Sequence, residues 1–401
     1  MSETIRFSNF IIRKNSFSCF VNSSKRSKTD RLEFLLDKKV KRLNRDAIAC
    51  ALATLCGNGY EEITMDIPVS ASCCEELEKF TKAKIHTRTK KMPFCLSRLF
   101  PAAKREKQEE KCILNFSGGF DSLAALALIP EENCELVSVD FGGGFSREAK
   151  FFKSFNPHVL QTNFRQLGYD RESWTFMGTG ALLYADSLRA KYHVFGTILE
   201  GTEYHFRDLP PRTSFLRRMP FSLAGLDEIQ LLNGITEVGT AMIVTEYYPE
   251  KVSDSMISLA SPKSEKRFRK QMLTEIVCQR YNKNVELPDC PEPDSKCITP
   301  FGRNFALDFL AIYELKHRGL EIVRKTVSGV PEDVVALSNE LNLDFYERLN
   351  PKFLNTIPET MRQFYLERLE RCGIIPYTER DWEEFEKVRQ CLGKYHPGIV
   401  K

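Results

Sequence analysis

The central part of the chain alternates short apolar runs with longer amphipathic ones. Apolar runs at 112–116, 136–140, 158–162 and 193–196 have the length of buried strands. The segments between them, 122–129, 146–155 and 180–191, have helical spacing, and Pro130 and Asn156-Pro157 stop the first two. Strands joined through single helices need crossover connections, so the pattern predicts an α/β fold with a parallel sheet covered on both faces.

The flanking regions have different patterns. Towards the N-terminus, strands are predicted at 7–20 and 62–68, and helices around 32–40, at 45–56 and at 73–81. Helical spacing returns at 264–281 and 304–318, and beyond Val330 it continues to the end with prolines at its starts and breaks. We therefore expect three regions: an N-terminal α+β domain (1–108), a central domain (109–300) and a C-terminal helical region (301–401).

One long stretch fits no regular element. Residues 203–225 hold three prolines and the arginines at 207, 212, 217 and 218. A loop of this length inside a compact domain is more often a lid or a binding loop than a plain connection.

Composition narrows the class of protein. The 401 residues are 42% hydrophobic and 28% charged, which is typical of a globular protein with two or three domains. There is no apolar run long enough to span a bilayer and no secretory signal, so we expect a soluble, cytoplasmic protein. The thirteen cysteines are scattered, which favours reduced, buried thiols. A net charge of +4 is too small for a dedicated nucleic-acid binder.

The first central strand leads directly into the sequence Ser117-Gly118-Gly119-Phe120-Asp121-Ser122. Two adjacent glycines allow backbone N–H groups to converge on a phosphate, and the helix that follows adds the positive end of its dipole. The Ser117 and Ser122 hydroxyls can donate to phosphate oxygens. Asp121 can hold a magnesium ion, cap the helix or orient a hydroxyl. The alternative is a glycine turn without a ligand.

This hexapeptide resembles the SGGxDS signature of the PP-loop ATP pyrophosphatase superfamily. The resemblance covers about residues 109–300 and implies a HUP/Rossmann-like domain that binds ATP and Mg²⁺. It implies catalytic roles for Asp121, Ser122 and Lys263, and metal ligation by Asp121 and Glu200. The residues that it implies for nucleotide binding lie in the loop and at the ends of the next three strands: Ser117, Gly118, Gly119, Phe120, Asp121, Ser122, Asp140, Phe141, Gly142, Thr162 and Gly196.

Within the superfamily the chain is most similar to 7-cyano-7-deazaguanine synthase-like enzymes, through the loop and the segment Cys290-Pro-Glu-Pro-Asp-Ser-Lys-Cys297. Those enzymes hold zinc with four cysteines in this region, whereas this segment has two, separated by six residues. A metal site, a redox or sulfur-carrying pair and two ordinary thiols all remain open. Lys263 and Lys266 lie where the family places residues near the second substrate.

The resemblance implies an enzyme that converts ATP to AMP and pyrophosphate. It activates a carboxylate or carbonyl oxygen for attack by a nitrogen or sulfur nucleophile, as a ligase or synthase in small-molecule biosynthesis. One alternative is a tRNA-modifying enzyme, since basic runs at 25–28, 38–42, 82–91 and 263–270 can hold RNA phosphates, although solvated helix faces explain such runs equally. Another is a regulatory or scaffold protein that binds ATP without turnover. Oligomeric state is left open.

Overall fold

The computed structural model describes residues 2–38, 40, 43–88, 108–207 and 217–400. Its main feature is a ten-stranded sheet. The strands of that sheet are β1 (Thr4–Ile12), β2 (Ser16–Ser23), β3 (Asp30–Leu36), β4 (Glu62–Met65), β5 (Lys84–Thr87), β6 (Glu109–Asn115), β7 (Cys134–Asp140), β8 (His158–Thr162), β9 (Ala190–Val194) and β10 (Asp227–Ile229). Two further short strands, β11 (Thr299–Pro300) and β12 (Val327–Ser328), pair with each other.

The helices of the described residues lie between these strands and after them along the chain. They are α1 (Arg45–Cys56), α2 (Ala71–Thr81), α3 (Phe120–Ala127), α4 (Ser146–Phe152), α5 (Thr179–Leu188), α6 (Glu237–Tyr247), α7 (Val252–Leu259), α8 (Glu265–Tyr281), α9 (Phe305–Arg318), α10 (Leu320–Val323), α11 (Glu332–Glu340), α12 (Glu359–Arg371) and α13 (Glu379–Gly393). In the part of the chain that the structure describes, none is both long and apolar enough to cross a bilayer.

The parallel part of the sheet has the order β10-β9-β6-β7-β8. All four neighbouring pairs in it are parallel, so the predicted α/β fold with its parallel strands is confirmed. From β6 the chain first moves through β7 to β8 on one side, and then crosses to β9 and β10 on the other. The loop after β6 therefore starts at the point where the strand order reverses, which is where open α/β sheets bind ligands.

Strand β3 joins the N-terminal strands to this parallel set. It pairs antiparallel with β8, with Phe34 opposite Thr162, so one sheet runs through both regions. The prediction of a helix around 32–40 was wrong: Leu32, Phe34 and Leu36 are buried and alternate with exposed residues, which is the period of a strand. Leu35 on the exposed face concealed this alternation in the sequence.

The chain divides into two compact units. The first contains the whole ten-stranded sheet and comprises Met1–Ser117, Glu131–Phe195 and Leu216–Ile229. The second comprises Gly118–Pro130, Gly196–Phe215 and Gln230–Lys401, and it is mainly helical. The domain boundaries expected at 108 and 300 stay a prediction.

The helices of the second unit begin and end at recognisable sequence signals. The Ser264 side chain accepts a hydrogen bond from Arg267 N at the start of α8, and Asn304 accepts one from Leu307 N at the start of α9. Helix α9 ends at Gly319, whose φ of 79° suits glycine. The predicted helices at 264–281 and 304–318 and the helical C-terminal region are confirmed, whereas α6 and α7 had not been predicted.

Candidate functional site

The loop after β6 is a turn of small residues that opens α3. Gly118 has φ of 79°, in the left-handed region where a side chain is strained. Gly119 is the N-cap of α3 and has no side chain with which to cap it, and the first helical hydrogen bond runs from Leu123 N to Gly119 O at 2.9 Å. This is the strand, glycine turn and helix sequence that a phosphate loop needs.

Two serine hydroxyls fix the shape of this loop. Ser255 Oγ of α7 donates to Gly118 O at 2.7 Å, and both residues lie in the second unit. Ser122 Oγ donates to Gly119 O at 2.9 Å, so in this conformation its proton is directed to the loop backbone. The expected donation from Ser122 to phosphate stays a prediction. Ser117 ends the first of the three chain segments that make up the first unit.

Asp121 lies in the first turn of α3 and is the charged group of the loop. Its Oδ1 accepts a hydrogen bond from Lys270 Nζ at 2.8 Å and lies 3.4 Å from Thr240 Oγ1. Among the described residues, Oδ2 makes no hydrogen bond, and the side chain is 34% exposed. One carboxylate oxygen is therefore held by the protein and the other is available to a ligand.

Lys270 is a buried lysine on α8. Its side chain is only 2% exposed, and Nζ lies 2.8 Å from Asp121 Oδ1 and 3.2 Å from Glu237 Oε1. Burial lowers the pKa of Lys270, but the negative charges of Asp121 and Glu237 outweigh it, so the pKa lies above its ordinary value. The ammonium group therefore stays charged beside the loop.

Arg269, the next residue on α8, completes what we call the charged cluster: Asp121, Glu237, Glu265, Arg269 and Lys270. Arg269 pairs with both Glu237 and Glu265, the second at 2.6 Å one helical turn earlier. Burial raises the pKa of Glu237, but the charges of Arg269 and Lys270 more than offset it and hold the pKa well below its usual range. Within the cluster, Glu237, Arg269 and Lys270 are thus buried ions whose charges stabilise one another.

Glu200 adjoins this cluster without carrying a charge. It lies in a 3₁₀ turn, Leu199–Gly201, is 2% exposed, and accepts a hydrogen bond from Glu237 N, the first residue of α6, at 2.8 Å. Burial, and then the negative charge of Glu237, raise its pKa to about 8. A carboxyl group that is protonated at neutral pH is a poor magnesium ligand, so this geometry favours a helix-capping role. Metal ligation by Glu200 stays a prediction.

Gly196 lies against the loop, within the second unit. A Cβ atom at this position would lie 3.1 Å from both the carbonyl carbon and the Cβ of Asp121. Few real Cβ atoms make contacts that short, so glycine permits this approach. The structure therefore brings Gly196 together with Asp121, as the family resemblance implied.

The remaining expected nucleotide-binding residues belong to the first unit. Asp140 accepts from Gly142 N at 3.0 Å and pairs with Lys153 at 3.0 Å, so its carboxylate closes its own turn. Phe141 is buried among other phenylalanine rings, and Thr162 is buried at the end of β8. The nucleotide-binding roles of these residues stay predictions.

The sequence analysis singled out lysines at and before the start of α8, and their roles stay predictions. Lys263 and Lys266 are exposed, and the lysine that contacts Asp121 is Lys270, one turn beyond Lys266. Glu237 was also missed. The available signal was the spacing of Glu265 and Arg269, four residues apart, which predicts an ion pair on one helix face. Nothing in the sequence alone shows that this face is buried.

Two other features were expected from the sequence: a metal or sulfur site at Cys290 and Cys297, and a lid. Cys290 and Cys297 are free thiols, both partly buried, and the described part of the chain contains no group of three or more His, Cys, Asp or Glu that could hold a metal. Of the expected lid, 203–225, residues 208–216 lie outside the described residues, and Arg212 is among them.

Comparison with known proteins gives no relative. No protein family, curated protein or solved structure matches this chain. The case for a function therefore rests on the residues of the loop and the charged cluster.

Proposed function

We propose that the protein is an ATP-dependent adenylating enzyme of the PP-loop type, which converts ATP to AMP and pyrophosphate. The observation that supports this most is the contact between Asp121 and Lys270. A lysine that is 2% exposed is held charged at the first turn of a helix that follows two glycines, and its aspartate partner keeps one oxygen available. Charged groups are buried in this way mostly where a site needs them.

The charge of the cluster suits the departing pyrophosphate. Lys270 supplies a fixed positive charge, and the amides at the start of α3 add the positive end of the helix dipole. Both are in position before the reaction, so little reorganisation is needed as negative charge develops. In this proposal Arg269 keeps Glu237 ionised, and Glu237 with Asp121 keeps Lys270 charged.

The residues also fit a magnesium ion that arrives with the nucleotide. Magnesium in such sites is bound by one or two carboxylates together with substrate phosphates, and it keeps several waters. Asp121 offers one partly exposed carboxylate oxygen. When bound, the ion would neutralise charge on the phosphate oxygens.

The proposed reaction proceeds in two displacements. A carboxylate or carbonyl oxygen of the substrate attacks the α-phosphorus of ATP, the bond from that phosphorus to the bridging oxygen breaks, and pyrophosphate leaves. A nitrogen or sulfur nucleophile then attacks the activated carbon and AMP leaves with its oxygen. The chain contributes alignment and charge neutralisation in the first displacement.

The test is to incubate the protein with Mg²⁺, labelled ATP and small-molecule extracts, and to measure the products. We expect AMP and pyrophosphate, with formation reduced on the order of a hundredfold in Asp121→Asn and Lys270→Met. Lys79→Met, at an exposed ion pair with Glu76 in the first unit, is the matched control and should retain the full rate. ADP and phosphate as the only products would overturn the proposed reaction, and tight ATP binding without products would indicate a regulatory or scaffold protein.

A further inference from the structure

A second feature of the second unit is a cavity of about 240 Å³. It lies between the segment His205–Arg207, residues 350 and 352, and one face of α13. Taking the liquid volume of a water as about 30 Å³, the space corresponds to roughly eight waters. An occupant of this size is a single small molecule, about as large as one substituted aromatic ring.

The interior of the cavity is aromatic. Phe206 and Phe385 are both buried and stack with their ring centroids 5.3 Å apart and their planes at 22°. Trp382, one turn before Phe385 on α13, meets that ring edge-on with centroids 6.0 Å apart. Such a lining favours a flat, apolar body over a hydrated one.

His205 forms a rigid, uncharged part of the wall. Its Nδ1 donates to Leu199 O at 2.9 Å, and its Nε2 therefore accepts from Asn233 Nδ2 at 3.0 Å. Both ring nitrogens are used within the protein, so the imidazole is fixed in one tautomer. The charge that an occupant meets must come from other residues.

The rim of the cavity carries unbalanced positive charge. Among the described lining residues the only acidic one is Glu386, which accepts two hydrogen bonds from Arg389 at 2.8 and 2.9 Å. Arg207 donates to the Gly398 carbonyl and lies 5.6 Å from the centre of the Tyr204 ring, and Lys352 lies 5.2 Å from the centre of the Trp382 ring. Within the part of the chain that the structure describes, neither Arg207 nor Lys352 has a carboxylate partner, so two positive charges face the cavity.

We propose that this cavity is a binding site for a small aromatic carboxylate. The ring lies against Trp382, Phe385 and Phe206, and the carboxylate pairs with Arg207 and Lys352. Arginine suits this role because its planar fork matches the two oxygens of a carboxylate. This inference does not depend on the proposed adenylation.

Trp382 makes the proposal directly measurable. The chain has two tryptophans, and the other, Trp174, is 49% exposed in the first unit. In a Trp174→Phe protein the fluorescence comes from Trp382 alone. We would titrate this protein with benzoate and, separately, with benzamide, which has the same ring and shape but no charge. We expect a saturable change with benzoate, and binding of benzamide about tenfold or more weaker.

Charge variants in the same background locate the site. Arg207→Met and Lys352→Met should each weaken benzoate binding about tenfold or more and leave benzamide binding unchanged. The unchanged benzamide titration also shows that the cavity still folds. Lys387→Met is the matched control, because Lys387 is exposed on the same helix and pairs with Glu340.

Each other outcome overturns the proposal. If neither probe changes the Trp382 fluorescence, or if benzoate and benzamide bind equally, the cavity is not an aromatic carboxylate site. If Arg207→Met and Lys352→Met bind benzoate as tightly as the Lys387→Met control does, the carboxylate is held by other residues. If inorganic phosphate gives a saturable change in Trp382 fluorescence and benzoate gives none, the cavity is a simple anion site and the proposal fails.

Discussion

The two compact units differ in how far their ion-paired side chains are exposed to solvent. In the first, each ion pair of the described residues keeps at least one partner partly exposed: Lys153 beside Asp140 is 49% exposed, Arg6 beside Asp66 is 62% exposed, and Arg218 beside the buried Glu228 is 32% exposed. In the second, Lys270 is 2% exposed, Arg269 11% and Glu237 7%. A surface pair contributes about 0–1 kcal/mol, whereas burying ions has a desolvation cost that their attraction barely offsets. The buried set is therefore poorly explained by stability alone, and this supports the proposed function.

One ionisable group of the first unit, His193 on β9, is fully buried, and neither ring nitrogen has a hydrogen-bond partner among the described residues. Burial, and then the charge of Arg218, lower its pKa to about 3, so it is neutral. His193 is thus buried without a charge, as Glu200 is in the second unit, whereas Glu237, Arg269 and Lys270 of the second unit are buried as paired ions.

The largest expected effect is at Lys270. Lys270→Met leaves Glu237 and Asp121 without their shared cation, and breaking a buried pair of this kind costs about 3–5 kcal/mol. Lys153→Met in the first unit removes an exposed partner and should change the free energy of unfolding by less than about 1 kcal/mol. Urea denaturation of both variants measures the difference. Equal losses would mean that the two units do not differ as described.

The next effect is on the pH dependence of stability. The pKa of Glu200 is about 8 in the folded protein, and burial raises the pKa of Glu314 to about 8 as well, against an ordinary value of 4.5. Between pH 4.5 and pH 8, Glu200 and Glu314 hold a proton in the folded protein and lose it in the unfolded chain. Each group therefore makes stability fall by up to about 1.4 kcal/mol per pH unit as pH rises from 4.5 towards 8, with little change outside that window.

Glu200→Gln should remove one of these two contributions. Urea denaturation at several pH values between 5 and 8 should then give a shallower fall than in the unaltered protein. An identical pH profile would show that Glu200 is ionised in the folded state, and would make metal ligation by Glu200 the better explanation.

A smaller effect is expected at Gly196, which lies against the loop. Gly196→Ala forces a methyl group to within 3.1 Å of Asp121 and should cost about 1–3 kcal/mol. Gly144→Ala in the first unit has no atom within 4 Å of the added carbon and should change stability by less than about 0.5 kcal/mol. Thermal or urea denaturation separates them. If Gly196→Ala leaves the free energy of unfolding unchanged, the loop moves to accommodate the methyl group at little cost.

The smallest effect is expected at Lys263. This exposed lysine has no ion pair in the described residues, so Lys263→Ala should change stability by less than about 0.5 kcal/mol. Its AMP production should fall far less than that of Lys270→Met. A larger loss in Lys263→Ala would restore the role that the family resemblance implied for it.

The sequence predicted the parallel strands because burial on both faces leaves continuous apolar runs. It also predicted the loop, since glycines between a strand and a helix have few other uses. It missed β3, because Leu35 is apolar but faces outward, and it missed α6 and α7. Lys270 was beyond the reach of sequence, because its burial depends on Asp121, 149 positions earlier, and on Glu237.

The pairing of β3 with β8 has a consequence for dividing the chain. Residues 1–88 cover one long side of β8, so a shortened protein that begins near residue 108 would leave the β8 backbone open along that side. An open strand of this kind, with the sequence His-Val-Leu-Gln-Thr, is a template for another chain to add to. The N-terminal strands thus also protect the rest of the protein from self-association.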